Sequence, residues 1–124
     1  MIPLGFIFTS TQPSGTNRGA YNFGVDDGIG HMGIASGFTE TFGVCLSARM
    51  YSSSYSLVSV HAQSFFGGAA DEVAGYVTSV GVGQFTLQFD LNNNAGWQWY
   101  VTVFGGSGIE AAVGLFDVSG GSGS

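Results

Sequence analysis

Residues Tyr76–Gly106 read YVTSVGVGQFTLQFDLNNNAGWQWYVTVFGG, and the fold class is decided by how this stretch alternates. Phe85, Leu87 and Phe89 interleave with Gln84, Thr86, Gln88 and Asp90. A second run sets Trp97, Trp99, Val101 and Val103 against Gln98, Tyr100, Thr102 and Phe104. A period of two is the mark of a strand with one buried face. Between the runs lies Asn92-Asn93-Asn94-Ala95-Gly96, whose Asn and Gly residues reach positive φ cheaply and favour turns. The pattern predicts two strands joined as a β-hairpin.

Composition sets the surroundings of that element. The chain has 124 residues, enough for a single domain with one core. Only 8% of residues are charged, there is no Lys, and the two Arg are Arg18 and Arg49. Eight carboxylates give a net charge of −6. Nucleic-acid and anionic-membrane contacts rest on clustered Lys and Arg, so neither partner is expected. The polar positions are mostly Gly, Ser, Thr, Asn and Gln, which are less costly to desolvate than ions. With 15% aromatic residues, the composition points to a self-associating β protein and away from disorder. Cys45, between Val44 and Leu46, is the only cysteine, so it reads as a buried thiol. No apolar run approaches the length of a membrane-spanning helix. The apolar start, Met1 to Phe8, lacks a basic region and carries Pro3, so it does not read as a signal peptide.

Moving outward from the central stretch, Leu4–Thr9 predicts a buried strand, followed by a loop of turn formers over Ser10–Gly19. Ala20–Val25 predicts a strand stopped by Asp26-Asp27-Gly28, and Ile29–Ser36 its return. Phe38–Phe42 is ambiguous, Gly43–Tyr51 and Tyr55–Gln63 read as strands, and Ser64–Gly68 reads as an irregular corner. Ala69–Val73 carries the one segment that reads as a helical turn, too short to stand alone. Ile109–Val118 predicts a last strand, and residues 119–124 have linker composition. Short strands separated by frequent turns, with no amphipathic helix, predict an all-β antiparallel sandwich, jelly-roll-like, over residues 1–118.

The order of several segments resembles a β-sandwich module of structural proteins of tailed bacteriophages, found in neck, tail-fibre and head-associated proteins and compared with H-type lectins. The matching residues are Gly5-Phe6-Ile7-Phe8, Tyr21-Asn22-Phe23-Gly24-Val25-Asp26-Asp27-Gly28, Gly83-Gln84-Phe85-Thr86-Leu87-Gln88-Phe89, and Trp99-Tyr100 through Phe104-Gly105-Gly106. They span most of residues 4–106, but each motif is short and rich in glycine. The chain departs from the family where Ala112-Val113-Gly114-Leu115-Phe116, a strand expected ahead of the first one, stands near the C-terminus. The chain is thus circularly shifted relative to the family. The resemblance implies a sheet edge left open by the missing first strand. The C-terminal strand would fill it in cis, or pair head to tail with the next copy in trans. Ile109, Ala111, Val113, Leu115, Phe116 and Val118 are the residues of that exchange.

Candidate chemistry is sparse. His31 with Asp26 and Asp27 matches no metal spacing, and Asp-Asp-Gly is explained as a turn. His61 lies in phase with Ser59 and Gln63 and reads as a surface or interface residue. No Gly-x-Ser-x-Gly presents a nucleophile, and Asp71, Glu72 and Asp90 read as solvated carboxylates rather than a catalytic pair. The glycine-rich segments lack the Lys and the strand-to-helix context of a phosphate loop. No catalytic residue, metal or cofactor is therefore expected. The aromatics are the better candidates: Trp97, Trp99 and Tyr100, with Asn92, Asn93 and Asn94, form a set suited to stacking on a host glycan. The competing reading packs both tryptophans in the core. Taken together, these readings describe a non-enzymatic subunit of a phage virion or extracellular filament, a homo-oligomer joined through sheet edges. The alternative is a lectin-like adhesion module of a fibre.

Overall fold

The computed structural model describes residues 1–11, 18–41, 44–62, 69–92 and 98–114. Their elements are β1 (Pro3–Thr11), β2 (Arg18–Asp26), β3 (His31–Thr41), β4 (Val44–Ser52), β5 (Leu57–Ala62), β6 (Ala69–Gly81), β7 (Gln84–Asn92) and β8 (Gln98–Gly105). Among the described residues there is no helix. The strands form two antiparallel sheets, one ordered β4-β3-β2-β1-β8 and the other β5-β6-β7. The chain winds as a meander that passes from the first sheet to the second after β4, and returns after β7 to place β8 beside β1. The expected all-β sandwich is what forms.

Several elements differ from the sequence reading. Ala69–Val73 begins the longest strand instead of forming a helical turn, because the β5 ladder holds it from Ala62↔Ala69 to Leu57↔Gly75. Phe38–Phe42, ambiguous in sequence, continues β3 as far as Thr41. The largest change concerns the central stretch. Its two runs are strands, β7 and β8, but they do not form a hairpin. β7 pairs with β6 across the tight Val82-Gly83 turn, whose Gly83 sits at φ 67°. β8 pairs with β1 from Pro3↔Gly105 to Thr11↔Gln98. The reason is that β1 needs a ladder partner on its side away from β2, and β8 supplies one while turning Trp99 and Val103 into the core.

The core lies between the sheets in two clusters. Phe6, Phe8, Leu57 and Val77 form one, with Phe85, Leu87, Trp99 and Val103 packed on it. The Phe6 and Phe8 rings stack at 6.0 Å, and Phe85 lies 4.8 Å from Phe6 at a tilt. Ala35, Ala48, Val58 and Val60 form the other, flanked by Met50 and Tyr55. Each large side chain buried this way contributes about 1.5–3 kcal/mol.

One strand face breaks the apolar pattern. Over the second half of β2 the inward residues are Asn22, Gly24 and Asp26, all buried. Gly24 is in register with Gly33 on β3, so the two remove side chains from adjacent positions of the sheet. The backbone of Tyr55 and Ser56 enters the space they leave. A Cβ on Gly24 would stand 1.6 Å from the Ser56 carbonyl oxygen, and one on Gly33 2.7 Å from that of Tyr55. Asn22 bridges the same gap. With its amide oxygen accepting from Ser10 Oγ, its nitrogen donates to the Val58 and Tyr21 carbonyls at 3.1 and 3.0 Å.

Gly24→Ala cannot be accommodated without moving Ser56, and it should destabilise the fold by about 3 kcal/mol or more in urea unfolding. An unchanged midpoint would contradict this account of the sheet contact. Ser59 offers the opposite case, because its buried Oγ has no hydrogen-bond partner among the described residues. Ser59→Ala should leave stability unchanged or raise it by about 1 kcal/mol in the same measurement.

Candidate functional site

The residues expected to contact a glycan are divided by the fold. Trp99 is half-buried against the Phe6 and Leu57 cluster, while Tyr100, its neighbour on β8, faces the other way and is 57% exposed. Asn92 is exposed at the end of β7, in the other sheet. Asn93, Asn94 and Trp97 lie outside the described residues. Tyr100 and Asn92 therefore remain at the surface, and Trp99 belongs to the interior.

A polar cluster that sequence reading missed stands where β2 ends. Asp26, 1% exposed, accepts four hydrogen bonds. Its Oδ1 receives the Gly28 N–H at 2.7 Å. Its Oδ2 takes Ser56 Oγ at 2.6 Å, His31 Nδ1 at 2.8 Å and the Val77 N–H at 3.0 Å. Ser, His and Asp thus converge, but not as a nucleophilic triad. Such a triad places the imidazole between the hydroxyl and the carboxylate, so that it takes the hydroxyl proton. Here His31 and Ser56 both bond to the carboxylate, and the fully buried Ser56 donates its proton to it. The arrangement ties β2 to the segment before β5 and to β6. Beyond it, the ring of Tyr76 lies 4.9 Å from His31 and 6.0 Å from Tyr55. Tyr55 donates its hydroxyl to Asp90 at 2.8 Å. That hydrogen bond, with desolvation and the nearby Asp90 and Tyr76 charges, holds the Tyr55 phenol above its ordinary value of 10.0.

The outward face of the five-stranded sheet carries exposed large apolar side chains from several strands. Register places Tyr51, Ile34, Phe23, Thr9 and Tyr100 in one row across all five strands. Tyr51 is 55% exposed and Ile34 45%. Beside this row run Met32, Val25, Ile7 and Thr102, also in register. None of the residues in these two rows is charged, and Arg49 on β4 is an exposed charge beside them. Sequence alternation shows that each strand has two faces. It does not show that the outward residues of five strands line up.

Residues 109–114 do not form the expected strand, and they pair with no sheet edge. The place beside β1 that the family resemblance left open is taken by β8. The segment instead returns in cis across the face of β1 opposite Phe6 and Phe8. Ala111 covers Gly5, where an added Cβ would stand 2.7 Å from its Cβ. Val113 lies over Gly30 and donates its N–H to Asp27 Oδ2 at 2.9 Å. Ile109 and Ala111 are exposed and Val113 is half-buried, whereas Leu115, Phe116 and Val118 lie outside the described residues. Two shallow depressions border the segment. One, of about 510 Å³, is lined by Leu4, Ile109, Glu110, Ala111 and Ala112. The other, of about 440 Å³, is lined by Met1, Ile2, Leu4, Gly106 and Ser107.

Asp27 is the anchor of this contact. Its Oδ1 accepts the N–H groups of Ile29 at 2.9 Å and Gly30 at 2.6 Å, and its Oδ2 accepts that of Val113. Burial pushes its carboxyl up, but the N–H groups of Gly30, Ile29 and Val113, with the His31 charge, outweigh this and hold it below 3.8. The Asp26 side chain is thus bonded to His31, Ser56 and backbone N–H groups, and that of Asp27 to backbone N–H groups. No helix among the described residues is long and apolar enough to cross a membrane. Comparisons of the chain with protein-family models, curated proteins and solved structures return no match.

The direction of the Asp27 shift fixes a pH dependence. A carboxyl whose pKa is lower when folded contributes stability above its unfolded value, and loses it as pH falls through the folded value. The Val113 amide resonance should therefore titrate with a midpoint below 3.8, and Asp27→Asn should abolish that titration. A Val113 resonance that follows no acid midpoint would show that the contact does not form in solution.

Proposed function

We propose that this protein is a non-enzymatic structural subunit that associates with copies of itself in a virion or extracellular filament. The observation that carries the reading is the outward face of the five-stranded sheet, where Tyr51, Ile34, Phe23 and Tyr100 form an apolar row with little charge around it. Soluble monomers rarely expose so continuous an apolar surface, and a second copy buries it without stripping ions of water. The near absence of Lys and Arg and the order of the phage-like segments support the virion side of the reading.

A second reading, glycan adhesion, is favoured by Tyr100, which presents an exposed ring beside Gln98 and Thr102. It no longer includes Trp99. The two readings are compatible in a fibre that touches a host.

Light scattering and negative-stain imaging test the first reading. The purified protein should form oligomers or filaments at micromolar concentration, and Ile34→Lys should weaken association at least about tenfold by placing a charge in an apolar contact. A monodisperse monomer at high concentration would overturn it. For the second, a glycan array whose signal is lost in Tyr100→Ala would be the supporting result.

A further inference from the structure

The segment after β8 has the form of an arm rather than of a strand. It leaves through Gly105-Gly106-Ser107-Gly108, where Gly106 and Gly108 adopt φ of 102° and 84°. These are left-handed conformations that only glycine reaches easily, so the chain direction here is set by residues of low torsional stiffness. The arm then crosses β1 to the β2–β3 turn without adding a ladder to either sheet. Its attachments among the described residues are local. Ala111 lies on Gly5, Val113 lies over Gly30, and one hydrogen bond runs to Asp27. The 510 Å³ depression beside Leu4 and Ala111 shows that the arm does not fill the surface it lies on.

The surface that receives it is shaped for it. A side chain at Gly5 would collide with the arm, its Cβ standing 2.7 Å from Ala111 Cβ, whereas a small one at Gly30 would fit tightly, its Cβ 3.0 Å from the Val113 carbonyl oxygen. Asp27 adds a directed acceptor at the far end. An arm on a glycine hinge, held by a groove complementary to it, satisfies the conditions for exchange between identical subunits. The contacts broken in cis are remade in trans, so the exchange has little intrinsic free-energy difference.

We infer that the groove formed by Gly5, Asp27 and Gly30 is the receptor for the 109–114 arm of a neighbouring copy, and that subunits are linked by passing this arm from one to the next. The inference rests on the self-association proposed above and adds to the burial of the sheet face a second, directed contact between copies. Because donor arm and receptor groove are different surfaces, the contact is heterologous. Repetition gives a ring if the rotation closes and a filament if it does not.

Cysteine pairing distinguishes the partners. In a Cys45→Ser background, Gly30 and Val113 are suitable positions, since a Cβ at Gly30 lies 3.4 Å from Val113 Cβ, close to the disulfide range of about 3.5–4.5 Å. One full-length chain carries Gly30→Cys and a second carries Val113→Cys. They are mixed, allowed to assemble and oxidised. A disulfide-linked heterodimer as the main product is the expected result. Assemblies present by light scattering but without interchain disulfide would overturn the exchange alone. A third chain carrying both substitutions is the control, and if it stays a monomer and forms the disulfide only within itself, both the exchange and the self-association are overturned. Gly5→Val is the check that needs no cysteine. Its side chain takes the place of Ala111, so association should fall at least about tenfold, and unchanged association of a folded Gly5→Val would also overturn the proposal.

Discussion

Two sheets can pack only as closely as the residues between them allow. In this protein the closest approach is made by backbone rather than by side chains. Gly24 and Gly33, adjacent in register, open a space in the five-stranded sheet, and Tyr55 and Ser56 occupy it. A chain segment inserted between sheets brings polar groups away from water, and each must find a partner. Ser56 meets that demand twice, through its N–H to the Gly75 carbonyl at 3.0 Å and its hydroxyl to Asp26. Asp26 completes the junction by accepting from Val77 on β6. The close contact and the buried carboxylate are therefore one device. Without the glycines Ser56 could not enter, and without Asp26 its entry would leave donors unpaired.

The position of everything else follows from that junction. It fixes where β5 crosses the first sheet, which places Leu57 against Phe6 and Phe8, and Val58 and Val60 against Ala35 and Ala48. The Asp26 end of β2 also leads directly into the turn that holds Asp27. The interior junction and the exterior arm are thus one residue apart in sequence. Asp26 turns its carboxylate inward to the second sheet, while Asp27 turns its own to the turn amides and to Val113. A pair of adjacent aspartates serves both faces of the sheet. The Asp-Asp-Gly turn is accordingly more than a turn, although its chemistry is structural.

Surface and interior divide the aromatic residues in a way that bears on function. Trp99 and Val103 complete the core from β8, and the alternate residues Tyr100, Thr102 and Phe104 are left outside. Tyr100 then joins Thr9, Phe23, Ile34 and Tyr51 only because four successive ladders hold their strands in matching register. The low charge of the chain gives this surface its character, since hardly any ion interrupts it.

Alternation over Phe85–Phe89 and Trp97–Phe104 was enough to establish strands, because a period of two depends on nothing beyond the chain itself. The turn at Asp26-Asp27-Gly28, the strands near Leu4–Thr9, Ala20–Val25 and Gly43–Tyr51, and the low charge were legible for the same reason. Ala69–Val73 was misread because five residues of mixed propensity take the conformation of the ladder they join. The pairing of β8 with β1, the inward orientation of Trp99, the convergence of His31 and Ser56 on Asp26, and the seat of Ala111 on Gly5 were not legible. Each joins residues far apart in the chain. Local sequence determined that these segments are extended and where several of them turn. Which strand lies beside which, and hence which residues meet, was decided only by the simultaneous satisfaction of ladder hydrogen bonds and core packing in the folded whole.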